Sequence, residues 1–264
     1  MVFSNTINRR GASMLDFKGK TVVVTGGSRG IGAATVKAFA RAGANVAFSY
    51  NKNYKAALEL AQKCERYDGD IFFAECDVSV YTEVEPFLEK VEKKFGTPHI
   101  LVNNAGIWNA ADFESITVDI WRKMLQINLD SVFYFTTLVA RRMKENEIKG
   151  AIINIASTAG QQGETRHAHY AATKGAIISY TKSMAGELGP HGIRINALAP
   201  GWVRTDMSAA AIKENEADIL KNMPLGNIPE ADDIAPGILF LASDMARAMT
   251  GAVLSMNGGS VLYD

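Results

Sequence analysis

Residues 21–32 read TVVVTGGSRGIG, and this stretch decides the fold. Its first five residues form an apolar, β-branched run that stops at a glycine-rich turn, a pattern that predicts a buried strand. The helical pattern of 31–42 follows, and Gly43 stands where such a helix should end. Glycines between a strand and a helix let the backbone approach a phosphate closely, and the helix directs its positive end at that charge. The residues that we expect to contact such a ligand are Gly26, Ser28, Arg29, Gly30, Ile31 and Gly32.

The same alternation of strand and helix continues along the chain. Each further strand is a short apolar or β-branched run, and each further helix has apolar residues at helical spacing. The predicted strands are 21–25, 45–50, 70–75, 99–103, 151–156, 193–198 and 252–256. The predicted helices are 31–42, 54–67, 84–95, 120–146, 170–188 and 231–241. This order predicts one α/β domain with a doubly wound parallel sheet, helices on both faces, and ligands at the carboxyl ends of the strands.

The composition is that of an ordinary globular domain, and it excludes several classes of partner. The chain has 264 residues, of which 47% are hydrophobic and 21% charged. Lys and Arg number 28, as do Asp and Glu, and this balance argues against nucleic acid or an anionic membrane as the main partner. Cys64 and Cys76 lack the spacing of a metal site and are expected to be buried thiols in a reducing cytoplasm. We expect a flexible arm over 1–13 ahead of a domain over 14–264.

The end of the second predicted strand indicates which dinucleotide the loop accepts. Sites that select NAD usually place an acid there, where it binds the ribose hydroxyl. Here the strand ends in Ser49-Tyr50-Asn51-Lys52, which contains no acid. Arg29 and Lys52 offer positive charge for a 2′-phosphate, and Arg also suits a phosphate in geometry. The pattern predicts NADP(H) in preference to NAD(H); the alternative is that both cations are merely solvated.

Tyr170 and Lys174 carry the main chemical signal. They are four residues apart in a predicted helix, so their side chains lie on one face. A free tyrosine has a pKa near 10, too high for efficient proton transfer at neutral pH. A neighbouring ammonium stabilises the phenolate, and we expect it to lower that pKa. Such a pair can donate a proton to a carbonyl oxygen or accept one from an alcohol.

Two further polar residues strengthen this interpretation. Ser157 follows the predicted strand 151–156, where a hydroxyl can hydrogen-bond a substrate oxygen. Asn128 lies among apolar residues inside the predicted helix 120–146, and burying its amide without partners would be costly. Considered alone, Asn128 is either a catalytic residue or a satisfied structural hydrogen-bonding group.

Together, these motifs resemble those of the short-chain dehydrogenase/reductase family. The matching motifs, in the family's order and spacing, are TGGSRGIG at 25–32, Asn103-Asn104-Ala105-Gly106, Asn128, Ser157, YAATK at 170–174 and Pro200-Gly201. The resemblance covers roughly residues 15–259. It implies a Rossmann-type fold with a seven-stranded sheet, an NADP(H)-dependent oxidoreductase of carbonyl or alcohol substrates, and usually a homotetramer.

The resemblance also implies roles for individual residues. Tyr170 would be the general acid/base, Lys174 would tune it and bind the nicotinamide ribose, Ser157 would orient the carbonyl, and Asn128 would hold a proton-relay water. Besides the glycine-rich loop and Lys52, the implied cofactor contacts are Asp77, Val78, Asn104, Gly106, Tyr170, Lys174, Pro200, Gly201, Val203 and Thr205.

The substrate is less well defined than the reaction. The segments 196–207 and 250–259 resemble those of 3-oxoacyl-[acyl-carrier-protein] reductases, which grip an acidic carrier protein with basic residues. Ile148 and His191 stand at the matching positions, which argues against carrier-protein binding. The alternative is an alcohol, polyol or small-ketone dehydrogenase. A non-catalytic dinucleotide sensor is a remote alternative. Such proteins tend to lose one of the four catalytic residues, whereas this chain has all four.

Two segments are expected to border the substrate. The polar segment 160–169 is predicted to be a surface loop facing a polar substrate, and its two histidines lack a third ligand spaced for a metal. The segment 206–222 is predicted to be an amphipathic lid, with Met207, Ile212 and Leu220 on one side.

Trp108 and Trp202 are the aromatic residues of interest on this side of the molecule. Each is as consistent with a wall of the substrate pocket as with the core, because an indole supplies apolar area in either place.

Overall fold

The computed structural model describes residues 15–262, and the predicted arm over 1–13 lies outside the described residues. Within that range the strands are β1 (Thr21–Val24), β2 (Asn45–Tyr50), β3 (Ile71–Glu75), β4 (Ile100–Asn103), β5 (Ala151–Ile155), β6 (Arg194–Pro200) and β7 (Val253–Met256). All neighbours pair in parallel, in the order β3-β2-β1-β4-β5-β6-β7. The prediction of a doubly wound, seven-stranded parallel sheet in one domain is confirmed.

The helices lie on both sides of this sheet. They are α1 (Gly30–Arg41), α2 (Tyr54–Cys64), α3 (Tyr81–Phe95), α4 (Val118–Leu125), α5 (Ser131–Glu145), α6 (Thr158–Gln162), α7 (Ala168–Leu188), α8 (Ala209–Lys221) and α9 (Ala231–Ala242). Side chains cap several of their N-termini; for example, Asn53 accepts a hydrogen bond from the N–H of Ala56, and Thr117 accepts one from that of Ile120.

The strands are apolar throughout because both faces of the sheet are covered. Val22 and Val24 of β1 face a core that includes Phe39 of α1 and Ile238 of α9. Val23, between them, faces the opposite core, to which α3 and α5 contribute. The side-chain period of a strand thus divides one short run between two cores. Cys64 and Cys76 are free and buried, as predicted, and burial raises the pKa of both thiols, that of Cys76 to about 12.

The order of the strands places the functional segments. The chain proceeds from β1 outward to β3 on one side, and then returns to β4 on the other side of β1. At such a switch point the loops after β1 and β4 diverge and leave a crevice at the carboxyl ends of the strands. Residues after β1, β4, β5 and β6 therefore meet there, although they are far apart in sequence.

The structure corrects the predicted helix over 120–146. The helix begins at Val118 and is interrupted by a π-helical segment, Gln126–Asp130, that joins α4 to α5. Asn128 lies in that segment with its side chain fully buried. Single π turns inside α-helices are frequent at functional sites, and the hydrophobic period of the sequence does not reveal this one.

The structure also corrects the loop predicted over 160–169. Thr158–Gln162 forms α6, Gly163 ends it at φ 85°, and α7 begins at Ala168. His167 and His169 are buried, not on the surface. A short helix followed by a tight turn folds these polar residues inward, and local composition alone does not predict that.

The predicted lid is partly correct. Helix α8 occupies most of 206–222 and is kinked at Asn215. Ile212 is buried with Ile219, and Leu220 packs against them, but Met207 precedes the helix and is half exposed. The apolar side of the lid therefore packs with Met223, Ile228 and Trp202, and it does not include Met207.

Candidate active site

A cleft of about 670 Å³ opens at the carboxyl ends of the strands, at the switch point beside β1. It extends from the glycine-rich loop after β1 to the segment after β6. Among the described residues, Gly32, Lys52 and Asn128 are the predicted site residues that do not line it. Those that line it are Gly26, Ser28, Arg29, Gly30, Ile31, Asp77, Val78, Asn104, Gly106, Ser157, Tyr170, Lys174, Pro200, Gly201, Val203 and Thr205.

The glycine-rich loop is held in a tight turn by Asn104. The Asn104 Nδ2 donates to the carbonyl oxygens of Thr25, at 2.9 Å, and Gly26, at 3.1 Å. Gly26 has φ 62°, which favours glycine. A Cβ at Gly32 would collide with the Gly26 carbonyl oxygen and lie 2.5 Å from Asn104 Nδ2. Gly32 therefore allows the helix to pack closely against the glycine-rich loop, and it does not itself line the cleft.

The first turn of α1 fits an anionic group. Arg29 precedes the helix without a side-chain cap, and no acid occupies its first turn. The first N–H groups of a helix have no partner within the helix, and the helix dipole favours negative charge there. Gly30 and Ile31 of this turn line the cleft. Arg29 is exposed and lies 3.6 Å from the Asp206 carboxylate across the cleft. Lys52 lies on the exposed turn between β2 and α2, beside the lining residue Asn51.

Asp77 and Val78 lie at the far end of the cleft, after β3. Asp77 accepts hydrogen bonds from the backbone N–H and the hydroxyl of Ser79 and from the Asn51 amide. Burial of Asp77 opposes ionisation, but these bonds outweigh it and hold the pKa of the carboxyl below its usual value. Asp77 is therefore a fixed anion that can accept hydrogen bonds from a ligand in this part of the cleft.

Ser157, Tyr170 and Lys174 come together at the centre of the cleft. Ser157 follows β5, and the other two lie in the first two turns of α7. The Lys174 ammonium donates to the Ile155 carbonyl oxygen at 2.7 Å and lies 5.7 Å from the centroid of the Tyr170 ring. The Ser157 Oγ accepts a hydrogen bond from the Ala159 N–H at 3.1 Å, which orients the hydroxyl.

Burial dominates the ionisation of this group. It raises the pKa of Tyr170 to about 12, although hydrogen bonding to Ser157 partly offsets the effect, and the charge of Glu164 raises it further. Burial lowers the pKa of Lys174 to about 8. The sequence predicts that a neighbouring ammonium lowers the tyrosine pKa. In the structure the pKa of Tyr170 is raised instead, because loss of hydration outweighs the hydrogen bond from Ser157.

Asn128 holds the segment that follows β4. Its Oδ1 accepts from the Ile107 N–H at 2.8 Å, and its Nδ2 donates to the Ile107 carbonyl oxygen at 2.9 Å. A Cβ at Gly106 would lie 3.3 Å from the Asn128 Oδ1 and 3.8 Å from Lys174 Nζ, so the three residues adjoin. The side-chain amide is thus a structural clamp, and the π-helical turn places it there.

Three further residues of the cleft wall lie together in a way that the sequence does not predict. Trp108 and Trp202 both line the cleft, and their rings pack edge to face with 5.8 Å between the ring centroids. Glu164 also lines it, and the Trp108 Nε1 donates to the Glu164 carboxylate at 3.2 Å. Glu164 could have been noticed as the one acid in the segment 160–169. Its partner is 56 residues away, however, and only the fold brings the two together.

Two buried histidines lie next to this group. The ring of His167 stacks on that of Trp108, with 4.4 Å between the ring centroids. The His167 Nδ1 lies 3.3 Å from Glu164 Oε1. His169 is fully buried, and neither of its ring nitrogens has a hydrogen-bond partner among the described residues. Burial lowers the pKa of His169, so the ring is neutral at physiological pH. Within residues 15–262, no group of three or more His, Cys, Asp or Glu side chains could hold a metal ion.

The chain matches known proteins over almost its entire length. A sequence model described as Enoyl-(Acyl carrier protein) reductase matches residues 26–261. The chain belongs to the short-chain dehydrogenase/reductase family. It is therefore an oxidoreductase of CH–OH groups that uses a nicotinamide cofactor.

Individual relatives differ in their substrates. An NADP⁺-dependent L-rhamnose 1-dehydrogenase from Thermoplasma acidophilum is 37% identical over 94% of this chain and 99% of its own. A 3-oxoacyl-[acyl-carrier-protein] reductase from Chlamydia pneumoniae is 38% identical over 91% of this chain and 96% of its own. The solved structure of a family member described as a glucose/ribitol dehydrogenase, from Brucella melitensis, is 30% identical. It has a TM-score of 0.89 and matches over 94% of this chain and 99% of that one.

The helices of the structure carry one further finding. In the part of the chain that the structure describes, none of them combines the length and the apolar character that a bilayer crossing requires.

Proposed function

We propose that this protein transfers a hydride reversibly between NADP(H) and a carbonyl/alcohol pair, with Tyr170 as general acid/base. The observation that carries the proposal is the convergence of Ser157, Tyr170 and Lys174 in one cleft with the glycine-rich loop. The loop fits a dinucleotide because its glycines leave room for a pyrophosphate and the first turn of α1 offers unpaired N–H donors.

The side chains of the cleft divide the work. The bound nicotinamide supplies the hydride for reduction and takes it up in oxidation. Tyr170 donates a proton to the carbonyl oxygen during reduction, and its phenolate accepts the alcohol proton during oxidation. The Ser157 hydroxyl hydrogen-bonds the same oxygen and orients it, while the Lys174 ammonium stabilises the phenolate. Asn128 clamps the segment with Gly106 against these groups, and we assign to it the family's proton-relay role.

The preference for NADP(H) rests on the charges at one end of the cleft. Tyr50 and Asn51 line it where an NAD site usually has an acid. Arg29 lines it too, and Lys52 is next in sequence to Asn51. A 2′-phosphate in the cleft would therefore meet the Arg29 guanidinium, with the Lys52 ammonium just outside the lining, and it would face no carboxylate from the end of β2.

A second candidate substrate is a 3-oxoacyl thioester. The 38% identity to the Chlamydia pneumoniae reductase favours it. Half-buried Ile148 and exposed His191, at the positions where basic residues would grip a carrier protein, oppose it. We keep assembly as a homotetramer and a cytoplasmic location as predictions of the family resemblance.

The proposal is tested by following the absorbance of NADPH, and separately of NADH, with a panel of carbonyl compounds. The panel contains acetoacetyl-CoA, a 3-oxoacyl thioester on carrier protein, cyclic and aromatic ketones, and keto-sugars. We expect NADPH oxidation with at least one class and slower oxidation of NADH. Oxidation of neither cofactor with any member, nor reduction of NADP⁺ by the matching alcohols, would contradict the proposal.

A further inference from the structure

The Glu164 carboxylate is built into the wall of the cleft. It lies between α6 and α7, lines the cleft, and is 25% exposed. Burial raises the pKa of this carboxyl, whereas the nearby His167 and the hydrogen bond from Trp108 lower it. Glu164 and Tyr170 line the same cleft, and the charge of Glu164 raises the pKa of Tyr170.

Its position is fixed by two rings. The Trp108 Nε1 lies 3.2 Å from Oε1 and 3.4 Å from Oε2, and the His167 Nδ1 lies 3.3 Å from Oε1. The Trp108 ring is itself held, because it stacks on buried His167 with an interplanar angle of 5°. It also meets Trp202 edge to face at an interplanar angle of 84°. A wall of packed aromatic rings therefore presents a carboxylate to the cleft that also contains Tyr170.

A carboxylate in this position selects for hydrogen-bond donors. An ionised carboxylate accepts at about four lone-pair sites, and the indole and the imidazole leave some of them free. A substrate with hydroxyl groups next to its reacting carbon can donate to those sites, while its C–H groups pack on an indole face. An unsubstituted acyl chain has no such donor and would remove water from the carboxylate without replacing its hydrogen bonds, which is costly.

The space next to the cleft has the same character. Beyond Trp202 lies a second cavity of about 380 Å³. The polar residues that line it are Thr158, Gln162, Asp218, Asn222 and Ser260. Trp202, Ile219 and Val261 complete the lining. A hydroxylated substrate extending in this direction would find hydrogen-bond partners among the polar groups, whereas an acyl chain would satisfy none of them.

We propose that Glu164, positioned by Trp108 and His167, is a specificity-determining residue that selects polyhydroxylated substrates, that is, polyols or cyclic sugars. It accepts hydrogen bonds from hydroxyl groups adjacent to the carbon that loses the hydride, the carbon whose hydroxyl proton Tyr170 accepts. This inference rests on the proposed function, since it names the substrate class of the same cleft.

The experiment compares Glu164→Gln with Glu114→Gln in the full chain. Glu114 is an exposed residue of the same type that does not line the cleft. Reduction of NADP⁺ is followed with L-rhamnose, D-glucose and ribitol as polyhydroxylated substrates and cyclohexanol as the apolar alcohol. We expect the wild type to prefer a polyhydroxylated substrate. Glu164→Gln should lower the kcat/KM ratio of that substrate to cyclohexanol roughly 10- to 100-fold, mainly through KM, and Glu114→Gln should leave it unchanged.

A deoxy series separates recognition from a general structural effect. Each monodeoxy analogue of the best substrate is tested with the wild type and with Glu164→Gln. The analogue that lacks the contacted hydroxyl should lose little further activity in the variant, because both changes remove the same hydrogen bond. Strictly additive losses for every analogue would overturn the assignment of Glu164.

The remaining outcomes are equally decisive. Loss of activity by the same factor on cyclohexanol and on sugars would overturn the specificity role. Turnover of thioesters or apolar alcohols without turnover of any polyhydroxylated compound would overturn the substrate class and leave the proposed function standing. No turnover with any alcohol or carbonyl compound would overturn both.

Discussion

The two sides of the cleft are built in different ways. The cofactor side, formed by the segments after β1, β2, β3 and β4, is shaped largely by backbone: glycines, helix N–H groups and the Asn104 bonds that hold the turn. The substrate side, formed around Trp108, Ser157, Glu164, Tyr170 and Trp202, is shaped by side chains. The cofactor side can therefore serve many substrates unchanged, while a few side-chain replacements can redirect the substrate side.

The largest effect should come from removing the transferable proton on the substrate side. Tyr170→Phe should lower kcat by roughly a thousandfold, because the phenylalanine ring has no hydroxyl proton to transfer to the carbonyl oxygen. NADPH affinity, measured by quenching of protein fluorescence, should change little, because the cofactor side is intact. Near-normal turnover would contradict the role assigned to Tyr170.

A comparable loss of function on the cofactor side, namely weaker NADPH binding, requires a substitution that displaces the backbone. Gly32→Ala should weaken NADPH binding about a hundredfold, because its Cβ would displace the Gly26 carbonyl and the Asn104 amide. It should also destabilise the fold by about 1–3 kcal/mol, as overpacking does, measured by urea unfolding. Gly186→Ala is the matched control.

Gly186 is in α7 and a Cβ there meets nothing within 4 Å. The alanine should stabilise the protein by up to about 1 kcal/mol and leave NADPH binding unchanged. If both alanine variants bind the cofactor equally well, the close approach at Gly32 does not shape the cofactor site.

A charge change should alter which cofactor binds without altering chemistry. Arg29→Ala combined with Lys52→Ala should raise the KM for NADPH roughly 10- to 100-fold, as expected for lost hydrogen bonds to a charged group. The KM for NADH should change far less. Because Arg29 lines the cleft and Lys52 does not, the single Arg29→Ala variant should account for most of the effect. Equal effects on both cofactors would contradict the 2′-phosphate assignment.

The pH dependence should differ in sign between the two directions. Oxidation needs the Tyr170 phenolate, so its kcat/KM should rise about tenfold per pH unit and level off near pH 8, where Lys174 loses its charge. Reduction needs the protonated tyrosine, so its kcat/KM should be flat at neutral pH and fall above about pH 8. Profiles that change in the same sense in both directions would contradict this account.

The contrast also explains what the sequence could predict. The glycine-rich loop is local: the strand, the turn and the first helix occupy 21–42, and their spacing carries the information. Tyr170 and Lys174 are likewise one helical turn apart. Ser157 was predicted because it directly follows a recognisable strand, and parallel strands end at the same edge of the sheet.

What the sequence could not predict depends on burial and on distant partners. The π-helical turn at Asn128 preserves the apolar pattern of a continuous helix. The inward folding of His167 and His169 follows from α6 and its terminal turn. The pKa of Tyr170 is decided by loss of hydration, which the spacing of residues in the sequence does not reveal. Glu164 is hydrogen-bonded by Trp108, which lies in the segment after a different strand, β4.

Transfer of a hydride from the cofactor to a carbonyl carbon can be followed with NADPH that carries deuterium at the transferable position. The best ketone of the panel is reduced with it, and the product is analysed by mass spectrometry. We expect an alcohol with one deuterium on the carbinol carbon, formed in step with NADPH oxidation and lost with Tyr170→Phe. NADPH oxidation that yields an alcohol without deuterium, or no alcohol, would contradict hydride transfer to the carbonyl carbon.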